Sequence, residues 1–273
     1  MWIVVTTILS LSIHILMLDV LGIAHPNNSN VPALAIVFNE ALSVTATIAF
    51  YRIAQNAFDG FPLIARCLLL TGIYSMLGEV LLRNFIMSVV VSHDWIYSFV
   101  ENLPRPVENL IVCSLIVVAA PYLKAPWKMV TAGFAIAAIA VFAIYPPINH
   151  LFERLVASIE YLDTGNLYNP PYGWRVDVPS YLTFLEPVSA SFAIAAVTLN
   201  KLSSHPWWRM FQFAFLVMAI KGSIVPVLLY SFYQRLELPA AILSESQFTL
   251  EIISMGMLTA IGWRASTSKK VLF

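Results

Sequence analysis

Residues Thr183–Asn200 read TFLEPVSASFAIAAVTLN, and Val37–Ala49 read VFNEALSVTATIA. Each is an apolar segment with one carboxylate near its start and small hydroxyl residues behind it. Phe38, Glu40, Ser43 and Thr45 fall where Phe184, Glu186, Ser189 and Ser191 fall, at an offset of 146 residues. Two further charged positions recur at nearly that offset: Glu79 against Lys221, 142 residues apart, and Glu108 against Glu251, 143 apart. Charges are costly in apolar segments, so their recurrence at one spacing predicts a duplicated helical bundle with ionisable groups at matching depths.

The surrounding composition says which solvent such a bundle meets. The 273 residues are 59% hydrophobic and 11% charged, against about 25% charged for a soluble domain. Too few charges remain to cover a water-facing surface, so lipid is the expected solvent and the bilayer the first partner. The net charge is zero, with no basic arm or charge block, which argues against nucleic acid. Cys67 and Cys113 both lie inside apolar segments and read as small core residues.

A membrane-crossing helix needs about 20 mostly apolar residues. Eight windows meet this: 2–24, 32–54, 62–90, 106–123, 127–147, 180–200, 207–232 and 241–263. The fold expected is an all-α polytopic membrane protein of two parallel four-helix repeats. Residues 1–125 form the first half and 126–273 the second, which carries an outer amphipathic loop at 148–179. An even number of spans per repeat gives both halves the same orientation. The first window lacks a preceding positive charge and holds His14 and Asp19, so it reads as a retained helix rather than a signal peptide.

Lys and Arg set the orientation. With the N-terminus inside, the inner side and its flanks hold Arg52, Arg66, Lys124, Lys128, Lys201, Arg209, Arg264, Lys269 and Lys270. The outer side holds Arg105, Arg154, Arg175 and Arg235. Nine against four predicts both termini inside, in the plasma or inner membrane of the cell. Acidic residues gather outside, so the outer mouth is expected to concentrate cations. In the loop, Ile148, Leu151, Phe152, Leu155, Ile159 and Leu162 repeat at helical spacing, which predicts an amphipathic helix on the outer leaflet.

Intramembrane charges supply the candidate site. Cys67, Thr71, Ser75, Glu79 and Arg83 follow at steps of four, which predicts one slowly winding face with Glu79 and Arg83 a turn apart. Lys221-Gly222-Ser223 precedes Pro226, which has no N–H for the Gly222 carbonyl, so a broken helix is expected beside a charge. Glu40, Ser43 and Thr47 share a face, as do Glu186 and Ser189, and as do Ser244, Gln247, Glu251 and Ser254. Thr183-x-x-Glu186 fits a capping box, and Glu108 is expected in a first helical turn, so capping is the plain reading of both. Ser10 and His14 lie one turn apart, with Asp19 beyond them.

The expected ion pathway is therefore Glu40, Glu79, Arg83, Glu186, Lys221 and Glu251, with His14, Asp19, Ser43, Ser189 and Gln247 as secondary candidates. The residues single out no catalytic set and leave open whether the chain is an enzyme. His25, His93 and His150 lie outside near acids, but no paired-His metal signature appears and no cofactor is predicted. Were a ligand held, the oxygen-rich carboxylates would suit a hard cation, and a quinone fits a membrane enzyme. The function expected is a transporter, or a conductor of protons or a small cationic solute, with a carboxylate-lined cavity open outside. One alternative is a membrane-embedded enzyme on a lipid-linked or quinone substrate. Another is a non-catalytic subunit or sensor, working as a homo-oligomer or with membrane partner subunits.

Overall fold

The computed structural model describes residues 1–92, 94–163 and 173–268. His93, Lys269, Lys270 and residues 164–172 of the outer loop lie outside them. The chain is all-helical, with 83% of it in helices and no strand among the described residues. Five helical stretches are long and apolar enough to cross a membrane: Trp2–Val20, Ala33–Ile53, Trp95–Tyr122, Pro126–Ser158 and Trp174–Lys201. Large side chains such as Leu34, Leu68, Val118, Phe142, Leu182 and Phe215 face outward from these and neighbouring helices. Such wide apolar exposure is consistent with lipid as the surrounding medium.

Helix α1 (Trp2–Ile15) runs into a π-helical turn at Leu16–Val20. Helix α2 (Ala33–Ile53) is followed by the single turn α3 (Gln55–Phe58). The carbonyls at the end of α2 and in the Leu123 turn are met by cations: Lys201 Nζ donates to Ile53 O at 2.5 Å, and Arg52 donates to Leu123 O. Positive groups at a helix C-terminus satisfy carbonyls that have no intrahelical donor.

The window 62–90 is not one helix. Helix α4 (Leu63–Leu77) stops, and α5 (Arg83–Ser92) begins after five intervening residues. The stop has a physical signature. Glu79 takes the left-handed conformation, φ 64°. Its N–H bonds Met76 O, and Val80 N–H bonds Ser75 O. This is the Schellman pairing that ends helices. The expected polar face of α4 therefore ends at Ser75, and Glu79 and Arg83 lie beyond it.

Helix α6 (Trp95–Asn102) is capped by Asp94, whose carboxylate accepts from the N–H groups of Ile96 and Tyr97. Helix α7 (Pro104–Ala119) starts two residues before the expected window. That places Glu108 outside the first turn and removes the simple capping role expected for it. Helix α8 (Pro126–Ile139) continues through a π-turn at Ala140–Ile144 into α9 (Tyr145–Ser158). The amphipathic segment is thus the end of one long helix rather than a separate element. The π-turn and the placement of Pro146 and Pro147 in the first turn of α9 let the chain continue despite two missing N–H groups.

Helix α10 (Trp174–Thr183) meets α11 (Leu185–Thr198) at Phe184. Because 174–183 is already helical, Thr183 is no cap; its hydroxyl donates to Pro179 O at 2.8 Å. Helix α12 (Pro206–Lys221) ends where the sequence marks it, at Gly222, φ 69°. Helix α13 (Ile224–Leu228) leads to α14 (Leu238–Ser268), 31 residues long.

Packing uses small residues where helices approach most closely. Helix α8 lies on α2 with Gly133 facing Ala41 and Thr45, and α14 lies on α12 with Gly256 against Ala214. Helix α14 also packs along α1. Helix α11 packs on α4 as α2 packs on α12, and α4 packs on α7 as α12 packs on α14. Phe184, Leu77, Ile194, Phe213 and Met255 lie fully inside this core.

Candidate functional site

Two helix ends meet at the centre of the bundle. Lys221, the last residue of α12, bonds Glu79 Oε1, in the break between α4 and α5. The other oxygen, Oε2, is held by Arg83 Nε at 2.5 Å. Glu79 and Arg83 thus pair across a break, not along one helix face. The three side chains are only 13–17% exposed, so each charge depends on the others for what it loses in solvation.

Aromatic and backbone groups complete the setting. Arg83 lies 5.2 Å and Lys221 5.9 Å from the centroid of the Phe184 ring, so one buried aromatic face serves both cations. Arg83 Nη1 donates to Ser180 O at 2.6 Å and to Thr183 Oγ1 at 3.1 Å. These acceptors lie at the negative end of α10, where a cation is favoured.

Glu186 has a role that its own helix does not reveal. Its carboxylate accepts from three consecutive backbone N–H groups: Leu81 at 3.0 Å, Leu82 at 2.9 Å and Arg83 at 2.5 Å. A residue of α11 therefore caps the start of α5. Glu251 of α14, 3% exposed, has Glu79, Lys221 and Arg83 as its electrostatic neighbours. The group holds three acids and two bases.

A cavity of about 200 Å³ opens against this group. Its polar lining includes Glu79, Arg83, His14, His25, Asn84 and Asp177, and Phe248 forms an apolar wall. His14 Nδ1 and Asp19 Oδ1 are buried without a hydrogen-bond partner among the described residues. Asp19 and Asp177 are electrostatic neighbours. Ser10 of α1 meets Ser254 of α14 at 3.5 Å, and Ser191 of α11 meets Thr259 of α14 at 3.1 Å.

Glu40 belongs elsewhere. Its neighbours are Arg105 and Tyr145. Arg105 Nη1 also bonds Glu108 Oε2 at 3.1 Å, with Glu108 fully buried and Arg105 59% exposed. Ser43 donates to Ile220 O at 2.5 Å and receives the Tyr74 hydroxyl at 2.9 Å, which ties α2 to the end of α12. Gln247 donates to Ala24 O and Ser244 O. Ser189 lines an apolar groove of about 530 Å³ between α5 and α10–α11.

Of the six residues expected on the pathway, five gather here: Glu79, Arg83, Glu186, Lys221 and Glu251. The sixth, Glu40, does not. Sequence reasoning passed over Phe184 as a cation platform and His25 and Asp177 as cavity walls. It also placed Arg105 in a loop rather than beside Glu40. Among the described residues, no three His, Cys, Asp or Glu side chains converge into a set that could hold a metal ion. No family model matches the chain, and no curated protein or solved structure matches it.

Proposed function

We propose that this chain is an eight-span membrane protein that moves protons or a small cationic solute, with the Glu79–Lys221 pair at the centre of its path. The observation that carries this reading is that one buried ion pair joins the ends of two interrupted helices at a cavity wall. Interrupted membrane helices leave backbone groups and charges beside a water-accessible site, the arrangement that transporters use for substrates and coupling ions. Glu79, Arg83, Lys221 and Glu251 form the charged centre, and Glu186 holds the second half of the broken helix in place.

Eight spans follow if 63–92 and 206–233 each cross once as two shorter helices, and if the 31-residue α14 crosses once. The paired packing of α11 on α4 and α2 on α12 supports two parallel halves, 1–125 and 126–273. Nine inner against four outer Lys and Arg support both termini inside a plasma or inner membrane. A second reading, an enzyme on a lipid-linked or quinone substrate, draws support from the apolar groove beside Glu186. Quinone co-purifying with the protein favours that reading.

The test of transport is flux in liposomes. Purified protein is reconstituted, and proton and cation movement is followed with internal dyes. Glu79→Gln and Lys221→Met each abolish flux on this reading. Unchanged flux in both variants removes it.

A further inference from the structure

The transport reading leaves the moving species open between a proton and a larger cation. Resting on that reading, we propose that the species is the proton, and that His25 and His14 carry it from the outer side to Glu79. His25 is exposed and lies in the segment after α1. His14 lies deeper, on α1. Their ring centroids are 6.4 Å apart with perpendicular planes. Phe248 of α14 packs against both, at 4.7 and 5.3 Å, and holds them edge to face. Both rings line the cavity whose far wall carries Glu79 and Arg83.

His14 Nδ1 is buried and bonds no protein group among the described residues. Buried ring nitrogens normally have a partner. The His14 ring also lines the cavity, where it is placed to take a proton from water and give it up again. The cavity has room for several waters at ~30 Å³ each. The charged groups around His14 come from each neighbouring element: His25 from the loop, Glu79 and Arg83 from the α4–α5 break, and Lys221 from α12. Asp177 of α10 completes the cavity wall.

The same wall is poorly built for a larger cation. Both oxygens of Glu79 are already held, one by Lys221 and one by Arg83. A solute cation must displace an ammonium or a guanidinium to reach them. Asp177 remains as a single carboxylate on the wall. A proton also ends the carboxylate's hold on both cations, but it needs no room of its own beside them. The N–H bond of the His14 imidazolium breaks as an O–H bond forms on the Glu79 carboxylate. Glu79 becomes neutral and releases its hold on Lys221 and Arg83, and Lys221 stays an ammonium. The freed cations then face Glu251, and the Ser10–Ser254 and Ser191–Thr259 hydroxyl pairs continue the polar line.

The experiment uses the full chain in liposomes with an internal pH dye and a fixed membrane potential. Wild-type protein acidifies the lumen along a proton gradient, and the rate slows in D2O. His14→Gln lowers the rate by about 10²-fold, the scale of a lost proton-transfer group, and His25→Gln lowers it less. External methylammonium, Na⁺ or K⁺ leaves the rate unchanged. If His14→Gln and His25→Gln conduct like wild type while Glu79→Gln is silent, the relay is wrong and the transport reading survives. If Glu79→Gln and Lys221→Met also conduct like wild type, the transport reading fails. Flux that follows a methylammonium, Na⁺ or K⁺ gradient instead of the pH gradient overturns the proton assignment. Should His14→Gln not fold, the exposed His25→Gln and the D2O measurement on wild type decide alone, and no change in either overturns the relay.

Discussion

Glu79 and Gly222 hold the same left-handed position in the same helix-ending turn, 143 residues apart. Glu79 N–H bonds Met76 O and Val80 N–H bonds Ser75 O; Gly222 N–H bonds Ala219 O and Ser223 N–H bonds Met218 O. Glu79 is the one non-glycine residue with positive φ among the described residues. An L-residue there costs about 1–2 kcal/mol that glycine does not. The carboxylate offsets that strain by joining Lys221 and Arg83. The equivalence also gives the proposed duplication the same 143-residue offset as Glu108 and Glu251, one residue from the alignment of Glu79 with Lys221.

Removing the Glu79 charge leaves two cations facing each other in a buried site. Glu79→Gln is expected to lower stability by about 3–5 kcal/mol, the range for breaking one side of a buried pair. Adding Lys221→Met to it recovers part of the loss. A double-mutant cycle on thermal unfolding in detergent reads the coupling, expected at ~1 kcal/mol or more. Strict additivity contradicts the pairing.

Gly222 cannot gain a side chain without strain. Its φ is 69°, and an added Cβ lies 3.1 Å from Asn39 Nδ2. Gly222→Ala is expected to cost about 1–2 kcal/mol, read as a lower unfolding temperature. The end of α12 and the placement of Lys221 shift with it, so on the proposed transport function flux falls in the same variant.

Glu186 is expected to act through the backbone of another helix. Glu186→Ala removes the acceptor of three N–H groups and costs about 1–2 kcal/mol, as for a lost helix cap. Glu186→Gln is milder because its amide oxygen still accepts. Hydrogen exchange at Leu81, Leu82 and Arg83 reports this directly. Unchanged exchange in Glu186→Ala contradicts the cap.

Close helix contact makes a sharp contrast between two glycines. At Gly256 an added Cβ lies 2.7 Å from Ala214 Cα, a backbone atom that cannot swing aside. Gly256→Ala is expected to cost about 1–3 kcal/mol by overpacking α14 against α12. Gly72, inside α4, meets nothing within 4 Å. Gly72→Ala is expected to gain about 0.5–1 kcal/mol from helix preference. Paired melting curves check the difference in sign.

Local chemistry made part of the site legible. Lys221-Gly222 and Pro226 announce a helix break because glycine and proline act within one turn of chain. Arg83 lies four residues from Glu79, so their pairing could be read from spacing even though the helix between them is interrupted. The break at Glu79 was only weakly marked: Gly78 caps α4 but keeps a right-handed conformation, no proline follows, and a glutamate is a poor residue for a left-handed turn. What stabilises it is Glu186, about 100 residues away, which supplies the acceptors that the amides of 81–83 lack. Glu40 misled for the related reason that its partners, Arg105 and Tyr145, come from two distant helices.

The sequence by itself determined that the chain is helical and apolar, and where several of its helices start, because apolar content and backbone hydrogen bonding are set residue by residue. Only the tertiary structure decided which charges meet. Glu79, Lys221, Glu186 and Glu251 come from four separate segments, and their pairing depends on how α4, α11, α12 and α14 pack. A charge is bound by whichever group lies within a few ångströms, and that distance is a property of the folded bundle.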